Sequence, residues 1–131
     1  MKTRSLSYWK KKLWKLVSEF VRRSFADRNG NCRCVTCGVL RNWKEMQAGH
    51  FIDGHMNAIM FDLRGIHPQC FACNCMKHGN KVEYYKFMLE EYGQEVIDEL
   101  RAKAKTAVKI TVSDYEINIL DFTQRLKGLA I

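Results

Sequence analysis

Apolar residues recur at steps of three and four along the first part of the chain, and this spacing predicts an amphipathic helix over residues 5–28. Ser5 or Ser7 is suited to cap its start, because a serine side chain can accept a hydrogen bond from a free backbone amide. Asn29-Gly30 predicts its end. The repeating apolar positions are Leu6, Trp9, Leu13, Leu16, Val17, Phe20 and Phe25.

Residues 31–70 alternate weakly between apolar and polar side chains, which predicts short strands joined by loops. The segment 43–52 predicts the first strand of a hairpin, and the segment 61–67 predicts the return strand. Asp53-Gly54 and the polar residues that follow predict the loop between them. We expect Pro68 to end the return strand, because proline has no amide donor for a sheet.

Helical spacing returns after the second strand. A helix is predicted from about Phe71 to Gly79-Asn80, and two more are predicted at 82–93 and around 96–100. Ser113-Asp-Tyr-Glu116 has the capping-box pattern and predicts the start of a last helix.

Strands followed by helices favour the α+β class, and a length of 131 residues favours one domain over 1–131. Within it we expect an N-terminal helix over 1–30, a core over 31–80 and a helical part over 81–131. No run of more than four consecutive apolar residues occurs, so no transmembrane helix is expected. The N-terminal residues include lysines but no apolar core of a signal peptide, so no signal peptide is expected.

Two CxxC pairs, Cys34-Val-Thr-Cys37 and Cys70-Phe-Ala-Cys73, have the spacing of zinc knuckles. Four thiolates in two such turns can form a closed, tetrahedral, structural zinc site. Without a secretory signal, paired cysteines favour metal binding over disulfides. Thirty-two residues separate Cys37 from Cys70, so a metal bound by the four cysteines would staple the ends of a segment that is long enough to carry another site. We expect the remaining Cys32 and Cys75 to be spectators, although either could compete for zinc.

The net charge of +8 is concentrated at the N-terminus, where residues 1–28 hold nine Lys or Arg against two acids. This concentration suits a polyanion such as DNA, although a basic face on a core helix could equally be a solvated surface. We expect Trp9 and Trp14 to be packing residues rather than platforms for base stacking. Lys77 and Lys81 could also contact phosphate, or could merely be solvated. The N-terminal candidates for nucleic-acid binding are Lys10, Lys11, Lys12, Lys15, Arg22 and Arg23.

His50, Asn74 and His78 follow the spacing of an HNH nuclease site within and directly after the stapled segment. Fourteen residues intervene between His50 and Gly65, eight more before Asn74 and three more before His78. Histidine is the natural general base near neutral pH, and a divalent cation can stabilise the leaving oxygen of a phosphodiester. His50 falls on the first predicted strand, whereas Asn74 and His78 should share one face of the predicted helix.

The chain resembles the HNH endonucleases, and among them it is similar to the phage NinG family. The resemblance is clear over residues 30–93, and its most specific parts are the blocks 47–51 and 69–74. It implies a zinc-stapled ββα-metal (HNH) finger flanked by the N-terminal basic helix and C-terminal helices. The matching residues are Cys34-Val-Thr-Cys37-Gly38, Gln47-Ala-Gly-His50-Phe51-Ile52, Phe61-Asp62, Ile66-His67-Pro-Gln69-Cys70, Cys73-Asn74, Gly79-Asn80 and Tyr92-Gly93.

The resemblance implies a small phage-encoded endonuclease that cuts branched DNA during recombination, such as Holliday junctions and D-loops, in the cytoplasm of the bacterial host. It implies His50 as the general base, with Asn74 and His78 as ligands of a catalytic divalent cation, Mg²⁺ or Mn²⁺. A homodimer would suit paired cuts in a four-way junction. Phage recombination proteins are further candidate partners, and no membrane is expected.

Two positions depart from the HNH pattern. Gly65 stands where an asparagine usually positions the strand of the base, and His67 is a candidate catalytic substitute on the same predicted strand face. Gly49 precedes His50 where many HNH enzymes carry a metal ligand, which leaves the metal short of ligands. His55 is a further histidine of the segment, and its sequence position gives less support for a functional role. The alternative metal ligands are His50 itself, Asp53 and Asp62.

Two other functions compatible with the sequence belong to different classes. A non-catalytic zinc module that binds nucleic acid would fit Gly65, and it would show salt-sensitive binding without cleavage. A structural zinc protein could dock on a partner through the helices of 82–100, but this leaves the basic N-terminus unexplained. The HNH intervals favour the nuclease, because a pure binding module has no need of them.

Overall fold

The first helix, α1 (Leu6–Ser24), confirms the element predicted from apolar spacing, although it ends four residues earlier than 28. The computed structural model describes residues 3–54 and 56–129, so His55 lies outside the described residues. Ser5 caps the helix, and its hydroxyl accepts a hydrogen bond from the Tyr8 amide at 3.2 Å. One face of α1 is buried through Leu13, Val17 and Val21.

Strands β1 (Asn31–Arg33) and β2 (Leu40–Asn42) pair in antiparallel fashion and were not predicted. The first CxxC turn forms the loop between them. A short 3₁₀ turn, Trp43–Glu45, follows, and Asn42 caps it by accepting the Lys44 amide. This cap explains why the next strand starts later than the apolar alternation predicted.

Strands β3 (Gln47–His50) and β4 (Ile66–Gln69) form the predicted hairpin, with His50 opposite Ile66. Both are shorter than predicted. The prediction that Pro68 ends the return strand is wrong, because Pro68 lies inside β4 opposite Ala48. A two-stranded sheet tolerates this proline, since each strand has a partner on one side only and needs no amide donor on the other.

The connection between β3 and β4 contains a short helix, α2 (Asn57–Met60), and a 3₁₀ turn, Leu63–Gly65. The predicted strand residues 61–65 therefore belong to turns, and Asp62 begins the 3₁₀ turn by accepting the Arg64 amide at 3.2 Å.

After β4 the chain forms a π-helical turn over Ala72–Met76 instead of a helix to Gly79-Asn80. The turn closes where the Gly79 amide donates to the Cys73 carbonyl at 2.8 Å. His78, Gly79 and Asn80 then have positive φ angles of 51°, 91° and 47°. The prediction that His78 and Asn74 share one helix face is therefore wrong, since the chain has already left the helix at His78.

Three further helices complete the described chain: α3 (Lys81–Glu91), α4 (Gln94–Ala104) and α5 (Val112–Lys127). They confirm the predicted C-terminal helices. The capping box of α5 lies two residues earlier than predicted, because Thr111 and Asp114 form the reciprocal bonds.

The hairpin of β3 and β4 lies between two apolar clusters. In the first, α1 and α5 pack around Ala48 of β3 and Ile66 of β4. The second, which holds Phe51 directly after β3, is built mainly by α3 and α4. The end of β3 is thus held by packing on both sides. Within the described residues, no helix is long and apolar enough to cross a membrane.

Candidate functional site

The paired cysteines bring their sulfur atoms together, as predicted. Cys34 and Cys37 lie in the β1–β2 loop, Cys70 directly follows β4, and Cys73 lies in the π-helical turn. The four Sγ atoms lie within 4.8 Å of one another, and those of Cys37 and Cys70 are 3.7 Å apart. A tetrahedral ion with Zn–S bonds of about 2.3 Å would place its sulfurs about 3.8 Å apart. The cluster could therefore hold a metal such as zinc.

Cys34 is the ligand best prepared for metal binding. Burial disfavours its thiolate, but hydrogen bonds from the Thr36 side chain and from nearby backbone groups lower the pKa of Cys34 to about 6. The Thr36 hydroxyl lies 3.2 Å from the sulfur. Because metals bind the thiolate, this environment favours Cys34 as a ligand, whereas burial raises the pKa of Cys37 to about 12 and raises that of Cys70 as well.

The two remaining cysteines lie outside the four-sulfur group of the described residues. Cys32 is buried on β1 and packs beside Met46. Cys75 is exposed, and its thiol donates to the side-chain oxygen of Gln47 at 3.2 Å.

An open cavity of about 710 Å³ brings the N-terminal helix together with the predicted catalytic residues. Helix α1 contributes Lys10, Lys11 and Trp14 to its lining. His50 lines it from the end of β3, and Asn74 lines it from the π-helical turn. The remaining parts of the wall include Asp53, Gly54, Met60 and Gly79.

His50 is held by Met60 and by Trp14, among other contacts. Its Nε2 atom lies 2.9 Å from the Met60 carbonyl oxygen. Because a carbonyl only accepts hydrogen bonds, the neutral imidazole carries its proton on Nε2 and its basic lone pair on Nδ1. The ring also stacks on the indole of Trp14, with centroids 4.8 Å apart and planes inclined by 22°.

Asn74 is oriented by Gln47, since its Nδ2 donates to the Gln47 side-chain oxygen at 2.7 Å. Its Oδ1 lies beside Gly49, where a Cβ atom would stand 3.0 Å from it and 1.8 Å from the Gln69 amide oxygen. Position 49 therefore has no room for a side chain, which explains why no metal ligand precedes His50.

Gly65 leaves no gap in the support of β3. Its carbonyl accepts the Phe51 amide at 2.8 Å, so backbone already ties the end of β3 to the start of β4. A Cβ at position 65 would meet only Leu100, at an ordinary 3.7 Å. The position could hold a side chain, but the strand is held without one.

Lys81 acts as a clamp, which means that its side chain connects the start of α3 to the end of β3. In this conformation its ammonium is not available to a phosphate. Its ammonium donates to the backbone oxygens of His50 at 2.6 Å and Phe51 at 2.8 Å. It also pairs with the Asp53 carboxylate at 3.0 Å. Because an ammonium has three N–H donors, these partners account for all of them. The prediction that Lys81 binds DNA stays a prediction, and the ion pair places Asp53 at the cavity with a compensating charge.

His67 does not reach the cavity, which corrects its assignment as an alternative catalytic histidine. The residue is 0% exposed, and its two ring nitrogens lie 3.0 Å and 2.8 Å from the hydroxyls of Tyr84 and Tyr92. Burial lowers the pKa of His67 to about 4. It is a neutral core residue, and the Gly65 departure gives it no catalytic role.

Two other candidate ligands also lie away from the cavity lining. His78 is exposed on the turn that follows the π-helical turn. Asp62 binds Arg64 and Lys103, each at 2.9 Å. Although burial opposes ionisation, these bonds lower the pKa of Asp62 to about 2. Its charge is thus already compensated.

The basic residues of α1 separate into two groups. Lys10 and Lys11 line the cavity, and Lys12 and Lys15 are exposed. The guanidinium groups of Arg22 and Arg23 instead lie over the ring of Trp43, and their assignment to DNA stays a prediction. Lys77 is exposed on the turn after Met76. Arg22 and Arg23 are half-buried.

Sequence reasoning missed the partners that orient the site. The indole of Trp14, the carbonyl of Met60 and the clamp by Lys81 reach His50 from three different elements. The sequence predicts Trp14 to be a packing residue and the structure has it half-buried, but no local signal shows which side chain it touches.

Comparisons with known proteins show the family to which the chain belongs. The family model described as the bacteriophage lambda NinG protein matches residues 1–130. Protein ninG of Escherichia phage 933W is 32% identical over 124 residues, which are 94% of this chain and 59% of that protein. For protein ninG of Salmonella phage P22 the identity is 32%, and for that of Escherichia phage lambda it is 31%, with 94% of this chain and 58% of each relative covered. No solved structure gives a significant match.

The chain spans about 59% of the length of the first of these relatives, so the match concerns part of each longer protein. Within this chain, however, the match runs through the basic helix, the cysteine cluster and the C-terminal helices. Because the family model covers nearly every residue, this chain belongs to the bacteriophage lambda NinG family.

Proposed function

We propose that this chain is a metal-dependent endonuclease of the HNH class that hydrolyses phosphodiester bonds in DNA. The observation that carries the proposal is the shared cavity, which is lined by a histidine of defined tautomer, an asparagine and lysines of a basic helix. The order of β3, β4 and the π-helical turn is compatible with a ββα-metal finger.

His50 is the proposed general base. Its Nδ1 lone pair would accept a proton from the attacking water, while the Met60 carbonyl keeps the other nitrogen protonated. Gly65 and Lys81 hold the backbone on which His50 sits. Such support matters because a general base must stay within hydrogen-bond distance of the water that it activates.

A divalent cation would stabilise the negative charge that develops on the leaving oxygen. The Asn74 amide oxygen and the Asp53 carboxylate are the proposed ligands, since Mg²⁺ and Mn²⁺ prefer oxygen donors. Both residues line the cavity, and Gln47 orients the amide of Asn74. His78 stays a predicted ligand that rests on spacing alone.

The proposed substrate is DNA that is recognised by shape. Lys10 and Lys11 at the cavity, with Lys12 and Lys15 on the exposed side, can contact phosphates without reading bases. We extend the proposal to branched recombination intermediates, such as Holliday junctions and D-loops, in the host cytoplasm. A homodimer would allow paired cuts.

Cleavage of a labelled four-way junction and of a matched linear duplex tests the function. The protein is assayed with Mg²⁺ or Mn²⁺, and His50→Ala is compared with the wild type. We expect junction-selective cutting that disappears in His50→Ala, while gel-shift binding persists. His78→Ala provides a second comparison, because loss of cutting there would support His78 as a ligand of the catalytic cation.

A non-catalytic, zinc-stapled DNA-binding module is the second candidate. The observation in its favour is that Asp53, the one acid among the described lining residues, is already paired with Lys81 and is 80% exposed. Junction binding that weakens with salt, with no cutting in any divalent cation, would establish this alternative and exclude the nuclease.

A further inference from the structure

One contact of the His50 imidazole lies in the plane of the ring, and another covers a face of the ring. The hydrogen bond to the Met60 carbonyl fixes the direction of Nε2, but it allows the ring to rotate about that bond. The indole of Trp14 covers one face of the ring with nearly parallel planes, 22° apart. The two contacts together define the direction of the Nδ1 lone pair.

Trp14 is itself held in place. Its ring lies 6.5 Å from Phe61, and Phe61 lies edge-on to Tyr115 at 6.3 Å. This aromatic chain connects α1, the connection between β3 and β4, and α5. Helix α1 also packs directly on α5. The indole is thus supported by the core on one side, and it lines the cavity as well.

We propose that Trp14 is a positioning residue of the site, and that its indole face holds the His50 imidazole in the orientation needed for proton transfer. The inference rests on the nuclease function proposed above. It assigns α1 a second role beside its lysines, because the helix then supplies part of the catalytic geometry. Rate enhancement depends steeply on such geometry, since small displacements of a reacting group are costly.

Cleavage kinetics of Trp14→Phe and Trp14→Leu test the proposal. Phenylalanine keeps an aromatic face, whereas leucine fills part of the volume without one. We expect Trp14→Leu to lower kcat by about 10- to 100-fold, with KM for DNA changed by less than about 2-fold, and Trp14→Phe to recover most of the rate. Trp14→Met, with a flexible side chain that fills irregular gaps, repeats the test with a smaller packing loss.

Trp9→Leu is the matched control. Trp9 lies on the same helix and packs against the same apolar cluster, but its ring contacts are to Tyr8 and Lys12. A purely structural role of Trp14 predicts similar losses for both leucine variants at equal folded fraction. A positioning role predicts that only the Trp14 variant loses kcat.

Nuclear magnetic resonance of the His50 ring protons gives a readout that does not require activity. A ring that lies over an indole face is shielded, so its proton signals should move downfield in Trp14→Leu and stay shielded in Trp9→Leu. Unchanged His50 signals, or wild-type kcat in Trp14→Leu, would overturn the positioning role. If instead His50→Ala cuts as well as the wild type, the proposed base is wrong, while the proton shifts still report on the stack.

Discussion

His50 and His67 lie on the same strand pair but in opposite surroundings. His50 ends β3 at the cavity, with a carbonyl that fixes its tautomer and an indole on one face. His67 lies opposite Gly49 and is enclosed by Tyr84, Tyr92 and neighbouring aromatic rings. Burial without a compensating acid favours the neutral form, so the second histidine serves packing and hydrogen bonding.

We predict that His67 makes stability fall at acid pH. Because burial lowers its pKa from 6.5 to about 4, the unfolded chain takes up a proton first. The contribution is present above pH 6.5 and is lost as the pH falls towards about 4. Urea unfolding of zinc-loaded wild type should lose about 2 kcal/mol more between about pH 7.5 and pH 5 than His67→Gln does. Equal losses in the two proteins would show that another group controls the dependence.

At the scale of elements, the start of α3 is connected to the end of β3 by a single side chain. Lys81 donates to two backbone oxygens of the strand end and pairs with Asp53. Gly79 makes room for this arrangement, since a Cβ there would lie 2.8 Å from Cε of Lys81. The positive φ of Gly79 and the length of the Lys81 side chain are therefore both needed for this connection between α3 and β3.

We predict that Lys81→Met destabilises the protein by about 1–3 kcal/mol, because two carbonyl oxygens and a carboxylate lose a charged donor. Lys86→Met is the matched control on the same helix, where Lys86 forms an exposed pair with Glu83. Thermal or urea unfolding measures the difference. Similar stabilities of the two variants would show that the clamp contributes little.

At the scale of the whole molecule, the cysteine cluster joins the β1–β2 loop to the segment after β4. Gln69 extends this connection, because its amide donates to Thr36 beside Cys34 and to the Gly79 carbonyl at 2.8 Å. The same side chain lies against Gly49, next to His50. The cysteine cluster and the cavity thus share supporting residues, so loss of a metal bound by the cysteines should disturb both.

We predict that zinc copurifies at about one ion per chain, and that Cys73→Ser loses it while Cys75→Ser keeps it. Without the ion the four sulfurs no longer link the β1–β2 loop to the segment after β4, so removal of the ion should also lower the unfolding temperature. Metal analysis and circular dichroism of both variants measure this. Full zinc content in Cys73→Ser would refute the four-cysteine site.

Local patterns were sufficient for some elements and not for others. A capping-box pattern located the start of α5, and helical spacing located α1, α3 and α4. It failed for residues 71–80, where the bonds that close the turn and the left-handed residues His78 and Asn80 override the spacing. Arg22 could not be assigned from its helix face, since its guanidinium contacts Trp43 from a distant turn.

The sequence by itself determined the cysteine cluster, the basic α1 and the intervals among His50, Asn74 and His78, because each is a property of residue type and spacing. Only the tertiary structure decided which of these residues share a cavity. It joined Lys10, Lys11 and Trp14 to His50 and Asn74, and it left His67 in the core and His78 on a turn. The physical reason is that burial and hydrogen-bond partners come from packing between elements far apart in the chain.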